Sequence, residues 1–240
     1  MKRSAVTDNG ELVDRGSLDL RWEPAAPATP TLTQEAYERL EEMIITLELA
    51  PGDAVSEAIL SKRIGIGTTP IREALHRLAR QYLVQILPRR GVVITPVDVR
   101  LQFEVLETRR ELDRLLCRSA ALRAGSAERQ LLGPLIAATE AAARARDVRE
   151  FLRLDSELNQ WLTKAARNSV ATDIAATLHA VSRRFWFYHL VDNRQFAETA
   201  ALHIGIARSI ASGDGAAAAA ASDQLIEHLL EFANATLPGS

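Results

Sequence analysis

The sequence has little cysteine, no long apolar run and almost no net charge. Its 240 residues include one cysteine, Cys117, so an intramolecular disulfide is impossible, and we expect this cysteine to be a small core residue. No apolar run approaches the roughly 18 residues that a transmembrane helix needs. Lys2 and Arg3 are not followed by the apolar stretch of a secretory signal. We therefore expect a cytoplasmic protein that does not act at a membrane.

The charge is nearly balanced overall and unbalanced locally. Lys and Arg total 29 against 31 Asp and Glu, and the net charge of −2 gives the whole molecule no field that attracts nucleic acid. Residues 61–91, however, contain Glu73 as their one acid and seven cations: Lys62, Arg63, Arg72, Arg77, Arg80, Arg89 and Arg90. Most charge runs are solvated faces, but this concentration on one short segment favours nucleic acid as a partner.

Turn-forming residues divide the N-terminal part of the chain. Residues 1–30 carry prolines and glycines without any sustained periodicity, which predicts a disordered tail. A helical pattern follows and stops at Pro51, and Ser56 is placed to cap a second helix. Gly65 and Gly67 then bracket a tight turn before a third helix that is rich in arginine. After it, the segments VQIL and VVIT predict a β-hairpin with a cationic tip.

Helix, tight turn, basic helix and basic hairpin, in this order, are typical of a winged helix-turn-helix DNA-binding unit. The third helix is expected to have Thr68 or Thr69 as its cap and Pro70 at its first position. Its first turn would face base edges in the major groove, where arginine binds guanine through two hydrogen bonds. The residues that we expect to contact DNA are Thr68, Thr69, Arg72 and Arg77 on the helix and Arg89, Arg90 and Gly91 at the hairpin tip.

The chain after Pro96 has a different character. Only helical patterns are present from residue 97 to 237, and their breaks give six to seven helices. The sequence therefore predicts a mainly α fold, with a disordered tail at 1–30, a winged helix-turn-helix domain at 31–96 and an all-α bundle at 97–237. The bundle would carry the control of DNA binding.

The segment from Leu60 to Leu78, LSKRIGIGTTPIREALHRL, resembles the GntR family of bacterial transcription regulators. The resemblance implies DNA contacts at Thr69, Arg72 and Gly91. Thr68 is a departure, because the family usually has an arginine there that reads DNA, and this implies a changed operator preference or weaker binding. Tyr82 is a second departure, because the family usually has glycine before the wing, and we expect the change to alter the angle of the wing.

A helical domain after such a DNA-binding unit resembles the FCD domain of the FadR subfamily. This resemblance implies a small effector, often a carboxylate, and in many members a divalent metal. The ligand positions of the family fall on Asp155, Asn159 and His203, while His228 comes three residues after the strict fourth position, Leu225. Asparagine stands where the family has histidine, so the expected metal, Zn²⁺, Mn²⁺ or Ni²⁺, would be held weakly. The alternative is a buried polar network without metal.

Arg109 matches an arginine of the family and has an acid, Asp113, four residues later. The resemblance implies that the effector is bound by Arg109, Asp155, Asn159 and His203, since guanidinium groups bind carboxylates through paired hydrogen bonds. A surface ion pair between Arg109 and Asp113 is the alternative. His179 is expected to be an ordinary packed or exposed histidine rather than a ligand.

Together these features predict a ligand-responsive transcription regulator. We expect it to form a homodimer, to bind an inverted-repeat operator in double-stranded DNA and to act as a repressor that a small metabolite releases. One alternative is a DNA-binding protein without an effector. The other is a metal-dependent enzyme built on Asp155, His203 and His228, but the sequence has neither a nucleophile motif such as G-x-S-x-G nor a phosphate-binding loop.

Overall fold

The structure is a computed structural model, and it describes residues 31–88, 91–190 and 193–237. Two predictions lie outside these residues: the disordered tail at 1–30 and the DNA contacts of Arg89 and Arg90. The described residues form ten helices and three strands. Within the described ranges, no helix is both long and apolar enough to cross a membrane.

The first six elements form a winged helix-turn-helix unit, which confirms the fold predicted for this part. They are α1 (Leu32–Ile45), β1 (Ala54–Val55), α2 (Glu57–Ile64), α3 (Thr68–Arg80), β2 (Val84–Leu87) and β3 (Gly91–Ile94). Ser56 caps α2 as predicted, and its Oγ accepts a hydrogen bond from the backbone N–H of Ile59 at 3.2 Å. Gly65 follows α2 with a φ of 77°, which glycine adopts without strain, and turns the chain towards α3.

The start of α3 differs from the prediction. The helix begins at Thr68 with Gly67 as its N-cap, so the cap contributes no side-chain hydrogen bond. Pro70 is therefore the third helical residue rather than the first. It still lies in the first turn, where backbone N–H groups have no partner within the helix, so proline is tolerated. The apolar side of α3 packs as predicted and buries Ile71, Leu75 and Leu78.

The wing is a three-stranded antiparallel sheet, one strand more than predicted. The strand order is β1-β3-β2, and Ala54 of β1 lies opposite Val93 of β3. Gly91 opens β3 with a φ of +92°, and a Cβ at this position would lie 2.7 Å from the carbonyl oxygen of Val55. The sheet itself therefore requires glycine at position 91, whatever this residue contributes to DNA binding.

Tyr82, which precedes the wing, has a φ of +60°. This left-handed conformation is strained for a residue with a Cβ and is natural for glycine. The hydroxyl of Thr95 donates a hydrogen bond to the carbonyl oxygen of Tyr82 at 2.6 Å and helps to hold the turn. The tyrosine thus follows a backbone path that suits the glycine usual in the family.

Seven helices form the C-terminal bundle, in agreement with the predicted six to seven. They are α4 (Val99–Arg123), α5 (Ser126–Gln130), α6 (Leu132–Ala145), α7 (Val148–Ala166), α8 (Ser169–His189), α9 (Asn193–Ser212) and α10 (Gly215–Asn234). Helix α4 packs against α7, α8, α9 and α10 and so forms the centre of the bundle. Side-chain oxygens that accept backbone N–H bonds cap four of the helices: Asp98, Asp147, Asn168 and Asp214.

Small residues let α10 approach α4 closely. A Cβ on Gly215, the first residue of α10, would lie 2.9 Å from Cγ of Leu122 on α4. Further along the same contact, Ala218 and Ser222 are buried. Cys117 of α4 is buried as predicted for a small core residue, and burial raises the pKa of its thiol.

Candidate functional site

The first turn of α3 presents the side chains predicted to read DNA. Thr68, Thr69 and Arg72 are all exposed. Glu57 of α2 holds the guanidinium of Arg72, with Nη2 2.7 Å from Oε2 and Nε 3.0 Å from both carboxylate oxygens. These hydrogen bonds lower the pKa of Glu57 and raise the pKa of Arg72, so both groups stay charged at neutral pH.

Arg77, predicted to contact phosphate, lies about 140° around α3 from Arg72. Its guanidinium stacks on the ring of Tyr37 in α1, 3.6 Å from the ring centroid, and its Nη1 donates to Oε1 of Gln34 at 2.8 Å. These contacts join α3 to α1. A contact between Arg77 and DNA stays a prediction.

A small polar cavity lies inside the helical bundle. Its volume is about 30 Å³, which is room for roughly one or two water molecules. It is lined by Arg109, Phe151, Leu152, Asp155, Asn159, His179, Ser182, Arg183, Trp186, Thr199, His203 and Leu229. The structure therefore brings together all four residues that were predicted to bind an effector: Arg109, Asp155, Asn159 and His203.

Asp155 and His203 form the charged centre of this cavity. Asp155 Oδ1 lies 3.0 Å from His203 Nε2 and accepts a hydrogen bond from Asn159 Nδ2, also at 3.0 Å. The other ring nitrogen of His203, Nδ1, lies 2.8 Å from the carbonyl oxygen of Thr199. Both partners of the imidazole are acceptors, so both ring nitrogens must carry protons. Burial by itself lowers the pKa of His203, but Asp155 outweighs burial and the pKa is raised.

A second buried ion cluster lies beside the first. Asp113 Oδ2 accepts hydrogen bonds from Arg109 Nη2 at 2.9 Å and Nε at 3.1 Å, and Asp113 Oδ1 lies 2.8 Å from His179 Nε2. Burial by itself raises the pKa of Asp113, but Arg109 and His179 reverse this and lower it to about 2. The surface ion pair proposed as an alternative for Arg109 is therefore wrong, because both side chains are buried. His179 was not predicted to be part of the site.

Two buried N–H groups of the cavity lining have no hydrogen-bond acceptor among the described residues. They are Nε of Arg183 and Nε1 of Trp186, both on α8. Buried donors are normally hydrogen-bonded, because an unpaired one keeps its full desolvation cost. A molecule that brings acceptor oxygens into the cavity would satisfy them. Sequence patterns missed both residues, because their spacing along α8 does not show which side chains of other helices they meet.

A wider cleft opens beside the cavity, between α1 of the winged unit and helices α7 and α8. Its volume is about 660 Å³. Four side chains line both spaces and so separate them: Leu152, Asn159, His179 and Arg183. The cleft has the volume of an ordinary small-molecule site, roughly 300–1,000 Å³, and the cavity alone does not.

Comparison with known protein families accounts for both parts of the chain. Residues 32–94 match the model of bacterial regulatory proteins of the gntR family. Residues 104–228, more than half of the chain, match the FCD domain. The chain belongs to the GntR family. It is a DNA-binding transcriptional regulator with an FCD effector-binding domain, and not an enzyme.

Similar proteins agree with the GntR assignment. The HTH-type transcriptional repressor RspR of Escherichia coli K12 is 25% identical over 206 residues, which cover 85% of this chain and 89% of that protein. An HTH-type transcriptional regulator of Streptomyces ambofaciens is 44% identical over 68 residues, 28% of this chain and 29% of that protein. The solved structure of E. coli McbR/YncC covers 86% of this chain and 99% of its own with a TM-score of 0.75 at 15% identity, which shows a shared fold.

Three of the four residues at which the FCD resemblance places a metal line the cavity of this GntR regulator. His203 Nε2 is paired with Asp155, and the amide nitrogen of Asn159 donates to Asp155, so a metal at these residues would have to displace the Nε2 proton. His228 lies outside the cavity lining, with its Nε2 2.9 Å from Thr199 Oγ1. The part of the chain that the structure describes holds no group of three or more His, Cys, Asp or Glu side chains placed for a metal. A hydrogen-bonded polar network joins Asp155, Asn159 and His203, and a bound metal stays a prediction.

Proposed function

We propose that this regulator is a repressor that binds an inverted-repeat operator as a homodimer and leaves it when a small carboxylate binds in the cavity. Residues 31–96 would read DNA, and residues 97–237 would bind the effector and dimerise. The protein would act in the cytoplasm, beside the chromosome. The observation that carries the effector part is the pair of unpartnered buried N–H groups at the cavity.

The chemistry of the cavity suits a carboxylate. Arg183 Nε and Trp186 Nε1 lack acceptors among the described residues, and a carboxylate offers two oxygens to such donors. The negative charge of Asp155 is already matched by His203, so Arg183 can bind an incoming anion if it gives up its other acidic partner, Glu41. A DNA-binding protein without an effector has no need for this interior, because an apolar core avoids the cost of unpartnered donors.

The size of the cavity requires it to open when the effector binds. A volume of about 30 Å³ is much smaller than a metabolite site. The adjoining cleft of about 660 Å³ supplies the space once the side chains between them move. We therefore propose that the carboxylate enters from the cleft and ends in contact with Arg109, Asn159 and His203.

The DNA side of the proposal rests on the exposed first turn of α3. Arg72 is placed to bind a guanine, and Thr68 and Thr69, with the free N–H groups of the helix start, suit a phosphate. Two such turns related by a two-fold axis would meet successive major grooves, which predicts an inverted repeat. The name of the relative RspR supports repression.

Operator selection from random DNA, followed by binding assays with a panel of small carboxylates, tests this function. We expect an inverted repeat to be selected and an active carboxylate to weaken operator binding by roughly 5- to 150-fold. Trp186→Phe, which removes the N–H and keeps the ring, should weaken the response. Trp161→Phe, at a half-buried tryptophan of α7 outside the cavity lining, is the matched control. A response to uncharged metabolites alone would contradict the proposal.

A further inference from the structure

The four side chains that separate the cavity from the cleft form a partition: Leu152, Asn159, His179 and Arg183. Arg183 makes contacts on both sides of this partition. Its Nη2 lies 3.2 Å from Oε2 of Glu41 on α1. Its Nε lies 3.8 Å from Oδ2 of Asp155 in the cavity and makes no hydrogen bond with any described residue. The Arg183 side chain is 14% exposed, so solvent screens its attraction to the two carboxylates only weakly.

Glu41 extends this contact to the recognition helix. The hydroxyl of Tyr37 donates a hydrogen bond to Oε1 of Glu41, and the ring of the same tyrosine carries the guanidinium of Arg77 from α3. Burial and the charge of Glu41 raise the pKa of Tyr37, so the hydroxyl keeps the proton that it donates. A continuous set of contacts therefore runs from the cavity through Arg183, Glu41, Tyr37 and Arg77 to α3.

The residue after Arg183 supplies a second, separate link to the winged unit. Arg184 Nη1 donates to Thr95 Oγ1 at 2.9 Å, and its Nη2 bonds the carbonyl oxygen of Thr95, which follows β3. Arg184 does not line the cavity. Among the described residues, two polar links thus join helix α8 to the winged unit, and the Arg183–Glu41 pair is the one that lies at the cavity.

We propose that Arg183 binds the effector and transmits its presence to the DNA-reading unit. A small carboxylate that enters from the cleft takes the guanidinium from Glu41, so α1 loses its ion pair with α8, while the Arg184–Thr95 link to the residue after β3 remains as a pivot. The inference rests on the proposed carboxylate effector and names its regulatory contact. It meets the thermodynamic requirement for control, because the carboxylate binds better to the state in which Glu41 has released Arg183.

A carboxylate introduced by substitution tests the coupling between Arg183 and Glu41 without knowledge of the effector. Asn159→Asp places an extra carboxylate in the partition beside Asp155, and at pH 8 it should draw Arg183 away from Glu41. We expect amide hydrogen exchange in α1 to become roughly two- to tenfold faster. Glu41→Gln should give the same increase. The double variant should exchange no faster than either single variant, because both changes break the same tie.

The matched control is Glu48→Gln, which removes the second ion pair that the described residues form between the two units, together with a longer contact of Glu48 to Arg63 at 3.5 Å within the winged unit. Glu48 Oε1 lies 3.1 Å from Arg149 Nη1, but neither residue lines the cavity. Its effect on exchange should add to that of Asn159→Asp. The proposal would be overturned if the effects of Asn159→Asp and Glu41→Gln on hydrogen exchange in α1 were additive. It would also be overturned if Glu41→Gln and Glu48→Gln combined with Asn159→Asp in the same way. Should Asn159→Asp fail to fold, Arg183→Gln replaces it and should match Glu41→Gln.

Calorimetry with malonate as the probe separates this inference from the function on which it rests. Malonate should bind the wild type, bind Glu41→Gln roughly two- to tenfold more tightly, and bind Arg183→Gln at least tenfold more weakly. Binding that is the same in all three proteins would overturn the role of Arg183 and leave the carboxylate site intact. No binding to any protein would count against the carboxylate effector, while the exchange experiment still decides the coupling between Arg183 and Glu41.

Discussion

The pairs Arg72–Glu57 and Arg109–Asp113 have the same chemistry in two different settings. The side chains of the first pair are 58% and 33% exposed, and those of the second are 7% exposed each. Water screens the attraction within the exposed pair, so Arg72 and Glu57 can separate and take other partners at little cost in free energy. Separating the buried pair leaves a charge without solvent or partner. We therefore expect the arginine of the winged unit to be available for DNA, whereas the arginine of the bundle is held in place beside the cavity.

The largest effect is expected from Asp113→Asn. The free energy of unfolding should fall by about 3–5 kcal/mol, because Arg109 keeps a buried charge that no longer has a carboxylate beside it. Urea unfolding followed by circular dichroism measures the change. A comparable loss in Glu57→Gln would show that burial does not distinguish the two pairs.

A smaller effect, on DNA binding alone, is expected from Arg72→Ala. Affinity for the selected operator should fall roughly ten- to a hundredfold, since a bidentate contact to guanine is lost, while the unfolding midpoint stays the same. Binding isotherms on operator and scrambled DNA give the ratio. Arg80→Ala, at an exposed arginine about two turns later on α3, should weaken both DNAs alike. If Arg72→Ala did the same, Arg72 would be a phosphate contact.

The smallest effect is expected from Glu57→Gln. Arg72 loses an exposed partner that contributes little in water, so operator affinity should change by less than about threefold. The same binding isotherms measure this change. A loss as large as that of Arg72→Ala would mean that Glu57 must hold the guanidinium in its reading direction.

Much of the fold was predictable because local chemistry decides it. Ser56 and Gly65 mark the ends of α2 by capping and by a left-handed turn, and the apolar spacing of α3 matches its buried side. Strand β1 was missed because two residues are too few to show an alternating pattern. The cap of α3 was placed wrongly because two threonines beside a proline suggest a cap more strongly than Gly67 does.

The sequence predicted the site only where the spacing of the family pattern relates residues on different helices. The family spacing brought Asp155 and His203 together correctly. It also placed the fourth position at Leu225, which lines a space beside His203, whereas His228 bonds Thr199 instead. His179, Arg183 and Trp186 could not be found in this way, because their partners lie on other helices and no single-helix periodicity encodes them.

The Arg72–Glu57 pair has a consequence for the effect of salt. A free surface arginine that reaches DNA displaces condensed counterions, and their release makes binding weaker as salt rises. On binding a guanine, Arg72 would instead exchange the Glu57 carboxylate for the neutral acceptors O6 and N7, and the released carboxylate would take up a cation from solution. A base contact by Arg72 thus adds to sequence discrimination with little added salt sensitivity. The ratio of operator binding to non-specific binding should then vary less with ionic strength than either affinity does.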